Sequence, residues 1–311
     1  MTTQQISMRD AFGQALLDLA DAFPDMVVLD ADVSSSTKTG MFARRYPERF
    51  FNVGVAEANM VDIAGGLATC GLRPVASTFA LFLALKCADQ VRNVLCYNNL
   101  PVVLAAGYAG LSDSYDGASH QSLTDLAVMR AMPNMTVVVP ADASEVQQAL
   151  QQALRRQGPT FIRLSRNPGP IFFDKDDELE IGKIRKMRDG ADLTIAVCGI
   201  PTSFVLEAAK QLAQQGVSVD LLEISTIKPL DVDTLALSAS KTGRVLTVEE
   251  HNIYGGLGSA VAEALARRCP VKMDFVGVQD CFTESGPYDE LMAKYGISAA
   301  AIIEKARGLL S

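Results

Sequence analysis

Glu57 stands in the stretch FFNVGVAEANM, where small apolar residues lead from a strand into a helix. A carboxylate at a helix start is stabilised by the macrodipole. Alternatively, an acid flanked by Val53, Val55 and Ala56 before it and Met60, Val61 and Ile63 after it faces an apolar pocket, where desolvation lets it share a proton with a buried ligand. Phe79 and Phe82, three apart in STFALF, are either core aromatics of a helix or one side of a pocket. With Glu57 they compose a carboxylate and an aromatic wall, a slot suited to a flat heteroaromatic ring. In YDGASHQ, Asp116 and His120 lie around Gly117, in a loop after an apolar strand. The chain has only two histidines, and one in a glycine-containing loop at a strand's carboxyl end is either structural or placed for chemistry near neutral pH. Arg163 and Arg166, in FIRLSRNPGP, close another strand, where arginine pairs with a helix carboxylate or holds a phosphate.

The elements that must position these residues alternate. Ser7 precedes an amphipathic pattern with Phe12, Leu16, Leu19 and Ala20 on one face, and MVVLDAD reads as a buried parallel strand ending in Asp30 and Asp32. Strands near Phe50–Val53, Pro74–Ser77, Pro101–Ala106, Thr136–Val139 and Thr160–Leu164 are spaced by helices at about Glu57–Cys70, Leu81–Tyr97, Asp125–Arg130 and Ser144–Arg155. This alternation predicts an α/β fold with a doubly wound parallel sheet and ligands at the carboxyl ends of its strands. Pro, Gly and clustered charges after Asn167 mark a linker with a short edge strand at Glu178–Ile184. The alternation then restarts at DLTIAVCG, so two consecutive α/β domains are expected: 1–168, a linker 169–189, and a smaller domain 190–311.

A hydrophobic content of 49% with 21% charged residues over 311 positions suits a folded chain of about two domains. The formal charge of -8, from 36 acidic against 28 basic residues without a basic block, argues against nucleic acid or an anionic membrane surface as partner. No secretory pattern or run of ~20 apolar residues occurs, so the cytoplasm is the expected location. Six cysteines without a CxxC pair read as core thiols, and the scarcity of histidine leaves no metal site expected in this chain. The glycine cluster YGGLGSAVAEAL has Val261 where a dinucleotide fingerprint wants its third glycine; it is either a phosphate-cradling turn or an ordinary helix start.

Taken together, FFNVGVAEANMVDIAGGLA, PVASTFALF, DGASHQ, MRAMPNMTVVVPAD and RLSR resemble the transketolase family of thiamine diphosphate enzymes, and more closely the separate C-terminal subunit of split bacterial transketolases. The resemblance runs over nearly the whole chain. It implies a pyrimidine-binding domain followed by the transketolase C-terminal domain. The GDG segment that holds magnesium and diphosphate in the family's other half is missing. Thiamine diphosphate would therefore bind across an interface with an N-terminal partner subunit that supplies the GDG motif and Mg2+. A heterotetramer of two copies of each chain, inactive without that partner, is the implied assembly.

Residue by residue, the resemblance implies that Glu57 hydrogen-bonds the aminopyrimidine ring and favours its imino tautomer, with Phe82 and Phe79 against the ring and Asp32 near the thiazole side. A two-carbon ketol unit would pass from a ketose to an aldose. His120 would touch donor hydroxyls, Asp116 an acceptor hydroxyl, and Arg166 with Ser36 a distal phosphate. Three departures stand out: Tyr108 replaces a second donor histidine, Tyr115 a glutamate before the DG pair, and Leu85 an aromatic. They leave the cofactor chemistry intact and point to a donor sugar unlike xylulose 5-phosphate. Deoxyxylulose-phosphate synthases share a similar glutamate and DG-x-x-H loop, beta subunits of 2-oxo-acid dehydrogenases share the fold alone, and a non-catalytic scaffold is the rival from another class.

Overall fold

Met26–Asp30 is buried on both faces, and its alternate residues feed two cores. Val27 and Leu29 join Met60, Val61 and Ala64 of the helix Glu57–Thr69, while Val28 joins Phe12, Leu16 and Leu19 of the helix Met8–Leu19. A central strand between two helical layers must be apolar throughout, because successive side chains point to opposite faces. The computed structural model describes residues 5–173 and 177–311; residues 1–4 of the expected first domain and 174–176 of the expected linker lie outside that description.

In chain order the first half carries strands β1 Gln5–Ser7, β2 Met26–Asp30, β3 Phe50–Asn52, β4 Arg73–Phe79, β5 Val103–Gly107, β6 Thr136–Val138 and β7 Thr160–Arg163. The second carries β8 Pro168–Pro170, β9 Arg185–Arg188, β10 Leu193–Val197, β11 Val219–Glu223, β12 Thr226–Lys228, β13 Arg244–Asn252 and β14 Lys272–Val278. One sheet runs β12-β6-β7-β5-β4-β2-β3 and another β14-β13-β10-β11-β9. Within the first, all pairs from β6 to β3 are parallel, so Asp30, Phe79, Gly107 and Arg163 end their strands at the same edge.

Several expectations need correcting. The short edge strand is β9, antiparallel to β11, and begins at Arg185 rather than spanning Glu178–Ile184. The expected linker thus contributes β9 to the second sheet, and β8 pairs with β1 in a two-stranded ribbon. The helix expected over Leu81–Tyr97 is broken: a helix Ala80–Leu85 ends before Lys86, a short turn Ala88–Gln90 follows, and Val91–Cys96 is a π-helix. Only Cys87, Cys96 and Cys198 are buried; Cys70 and Cys281 are exposed and Cys269 half-buried, so the core-thiol reading holds for three.

β12 crosses from the second half to finish the first half's sheet, pairing antiparallel with β6. Its Ile227 enters the core that also holds Val137, Leu222 and Leu235. No helix among the described residues is long and apolar enough to cross a membrane.

Candidate active site

At the common strand edge, four ring-bearing residues from three segments form one wall. Phe79, the last residue of β4, stacks on Phe82 one helical turn later, with centroids 5.5 Å apart, and on Tyr108, at 4.3 Å. His120 meets Phe82 edge-on at 5.4 Å and Phe79 at 6.4 Å. Offset stacks and edge contacts are the arrangements that aromatic quadrupoles favour. Tyr108 follows β5 directly in a left-handed conformation, φ 59°, which costs a non-glycine residue free energy and is held by the packing of its ring.

Glu57 opens its helix with a side chain only 8% exposed. Its surroundings are not purely apolar, as the sequence reading expected. The Lys86 ammonium donates to its Oε1 at 3.1 Å and lies 4.0 Å from the Phe82 ring centroid. Lys86 therefore links the carboxylate to the wall.

On the far side, two guanidinium groups flank Tyr108. Arg9 Nη1 donates to the Tyr108 hydroxyl at 2.8 Å and to the Ser36 carbonyl at 3.4 Å. Arg166 lies 5.0 Å from the Tyr108 centroid and donates to Asp113 Oδ1 at 3.1 Å. Burial, with the neighbouring Asp116 carboxyl, pushes Asp113 up to about 7 although Arg166 pulls the other way. Asp116 itself is exposed.

The loop with His120 is fixed from the second half of the chain. Gln121 Nε2 donates to the Glu284 carbonyl at 3.0 Å, Thr283 Oγ1 donates to Gln121 Oε1, and Gly286 N donates to the Ser114 carbonyl at 3.1 Å. Gly117 has a positive φ of 77°, which favours glycine, and a Cβ there would push on the Ser285 hydroxyl, 2.5 Å away. His120 itself exchanges a hydrogen bond with Ser119 Oγ at 2.9 Å through Nδ1.

Glu57, Phe79, Phe82, Tyr108 and His120 thus share one surface, with Arg166 and Ser36 joined to it through Tyr108 and Arg9, and Asp116 through Asp113. Asp32 stands apart from that chain of contacts, with Oδ1 accepting from Asn52 Nδ2 at 3.0 Å. Its neighbour Asp30 organises the strand end instead, accepting from Thr37 Oγ1 at 2.7 Å, Thr39 Oγ1 at 2.8 Å and Val33 N at 2.7 Å. The sequence reading missed Arg9, Lys86 and Asp113, which bond Tyr108, Glu57 and Arg166 across long stretches of sequence; the only local sign was an uncommon lysine among LFLALKCA.

Arg163 takes the first of its two expected alternatives, a buried pair with Asp125 at the start of the helix Asp125–Ala131. The glycine cluster is a helix start: the amides of Leu257 and Gly258, which would cradle a phosphate, donate to the buried Glu249 carboxylate at 2.7 and 2.8 Å. Among the described residues, no three His, Cys, Asp or Glu side chains converge to hold a metal ion.

Residues 4–170 match the pyrimidine binding domain of transketolase, and residues 182–302 the transketolase C-terminal domain. The chain belongs to the transketolase family. This transketolase-family chain is 40% identical over 301 residues to a putative transketolase C-terminal section of Methanocaldococcus jannaschii, covering 96% of this chain and 94% of that protein. It is 39% identical over 299 residues to the 6-deoxy-6-sulfo-D-fructose transketolase subunit SqwH of Clostridium sp. (strain MSTE9), covering 96% and 93%. It also aligns, at 36% identity, with 48% of the longer 1-deoxy-D-xylulose-5-phosphate synthase of Desulforudis audaxviator, over 98% of its own length. A solved structure described as a split gene transketolase, inactive beta4 tetramer, superposes with a TM-score of 0.92 at 44% identity, with 98% of each chain covered.

Proposed function

We propose that this chain is the C-terminal subunit of a two-chain, thiamine diphosphate-dependent transketolase that moves a two-carbon ketol unit from a ketose to an aldose in the cytoplasm. The observation that carries the reading is the buried Glu57 carboxylate at a helix start, bridged by one cation to the Phe82 face of an aromatic wall. A carboxyl beside a ring face is what an aminopyrimidine needs, a proton-holding partner for a ring nitrogen and a flat surface to stack on. When bound, the cofactor supplies a thiazolium carbon acidic enough to become a nucleophile toward a carbonyl.

Glu57 holds a proton at the pyrimidine ring nitrogen, and Phe82, backed by Phe79, orients the ring. Asp32, outside the contacts of the wall, would serve the thiazole side. His120 bonds donor hydroxyls and Asp116 an acceptor hydroxyl. Arg166 and Arg9, with Ser36, hold an anion at the far end of the sugar, and two guanidinium groups suit phosphate or sulfonate equally.

The diphosphate and its divalent metal are left to an N-terminal partner with the GDG motif. The exposed Val55, Leu85 and Tyr115, beside Glu57, Lys86 and Asp116 in sequence, and the exposed Phe282, which precedes the Thr283 that bonds Gln121, support an apolar partner surface there. A heterotetramer of two of each chain is the assembly that this predicts.

Glu57→Ala in the reconstituted two-chain complex tests the reading. Ketol transfer should fall by a factor of roughly 10²–10⁴, as when an acid–base group is removed, with circular dichroism unchanged. Near-normal turnover would end it in favour of a scaffold. The synthase relatives supply a second reading, and a deoxy-ketose product from the same complex would select that one.

A further inference from the structure

The Lys86 ammonium meets at one point the two requirements just set out for the pyrimidine: it donates to Glu57 Oε1 at 3.1 Å and lies 4.0 Å from the Phe82 ring centroid. We propose that Lys86 is a displaceable cation occupying the pyrimidine position of the free subunit, so that cofactor loading is a competition between the ring and the ammonium for Glu57 and Phe82. The proposal rests on the reading of Glu57 and Phe82 given above.

Steric exclusion follows from the geometry. A ring stacked on Phe82 needs its centroid roughly 4.5–7 Å from that of Phe82. The ammonium projects into that space on the face from which Glu57 is reached. Both cannot be there at once.

Electrostatics explains why a cation should wait there. A nearly buried carboxylate without a partner costs the fold free energy, and a charged neighbour offsets part of that cost. Lys86 provides it in the free chain, reinforced by the negative face of Phe82. Arriving cofactor offers Glu57 an acceptor ring nitrogen instead; the carboxyl takes up one proton from solvent as the ammonium leaves and donates it to that nitrogen, so the ammonium becomes dispensable.

The side chain is built to leave. Lys86 caps the C-terminal end of the helix Ala80–Leu85, and its backbone amide donates to the Phe82 carbonyl at 3.0 Å. Its backbone is therefore anchored, while its side chain is 51% exposed on a flexible four-carbon stem. Rotamer changes of exposed side chains take ps–ns, so the exchange needs no movement of the fold.

If only the lysine-out state accepts the ring, apparent affinity is reduced by the fraction of time that state is populated. Titration calorimetry of thiamine diphosphate with magnesium into the two-chain complex measures this. Lys86→Met, which keeps the stem and removes the charge, should bind the cofactor roughly three- to tenfold tighter than wild type. Equal or weaker binding overturns the proposal. Should Lys86→Met fail to fold, Lys86→Gln carries the same two outcomes. Glu57→Ala and Phe82→Ala in the same titration separate the two levels of inference. If both lose affinity while the Lys86 variants are unchanged, the pyrimidine reading stands and Lys86 is a surface ion pair. If neither loses affinity, the pyrimidine reading falls, and the competition with it.

Discussion

Arg163 Nε donates to Asp125 Oδ2 at 2.7 Å, in a pair of which neither side chain is more than 5% exposed. The same guanidinium donates through Nη2 to the carbonyls of Ser122 and Glu250, each at 2.9 Å. It therefore ties β7, the loop after His120 and β13 into one joint. Removing one partner of a buried pair strands the other charge, at about 3–5 kcal/mol. Arg163→Met should destabilise by that amount in urea unfolding, and a loss under ~1 kcal/mol, the range of an exposed pair, would show that the joint is not a stability determinant.

Arg9 ought to govern affinity for the anionic end of the sugar rather than the chemical step. A hydrogen bond to a charged group contributes about 1.5–3 kcal/mol, so Arg9→Gln should raise KM for a phosphorylated or sulfonated sugar roughly tenfold or more, with kcat little changed. Tyr108→Phe, which removes the hydroxyl that Arg9 holds, should produce a smaller shift of the same kind. A fall in kcat at constant KM would place Arg9 elsewhere in the cycle.

The joint at β13 also makes stability depend on pH. Burial pushes Glu250 up to about 7, while Arg163, the Leu111 amide and Tyr288 pull it down. Between its ordinary 4.5 and about 7 the folded chain holds this proton more tightly than the unfolded chain does. Its contribution is thus complete below 4.5 and lost as pH rises through about 7. His251, lowered to about 4 mainly by burial, acts oppositely, contributing above 6.5 and losing that contribution as pH falls through about 4. Glu250→Gln should therefore lack part of the wild type's stability loss on going from acid to neutral pH. Parallel curves for the two proteins would contradict the assignment.

Thiol labelling offers a check on burial. Cys70 and Cys281 should react with a maleimide in the native chain, whereas Cys87, Cys96 and Cys198 should wait for unfolding. Burial also pushes Cys87 up to about 12 and Cys96 up to about 11, which keeps little thiolate available. Rapid native modification of Cys87 would mean that the segment beside Lys86 opens.

Much of the scaffold was legible because a central parallel strand has no choice of composition: MVVLD, VLAAG and LTIAV announce themselves as short apolar runs between helices. Phe79, Phe82 and Glu57 were legible from strand ends, since Phe79 closes β4, Phe82 lies in the helix that follows it and Glu57 opens the helix after β3; His120 was legible from its glycine-containing loop in a chain with two histidines. The break at Lys86 was not, because Leu83, Cys87 and Val91 continue a four-residue spacing straight through it. Neither was the Arg9–Tyr108 bond, made across 99 positions of sequence. β12 was hidden for a third reason: Thr226–Lys228 has one apolar residue, Ile227, so no apolar run marks it.

That small strand has a practical corollary. Because Thr226–Lys228 is lent by one lobe to the margin of the other's sheet, the polypeptide is laced together rather than strung like beads. A protease nick or a truncation between residues 170 and 185 would release no tidy module. Removing the second lobe would peel a flank from β6 and bare an adhesive margin, so a shuffling or display experiment has to carry both lobes as a single cassette.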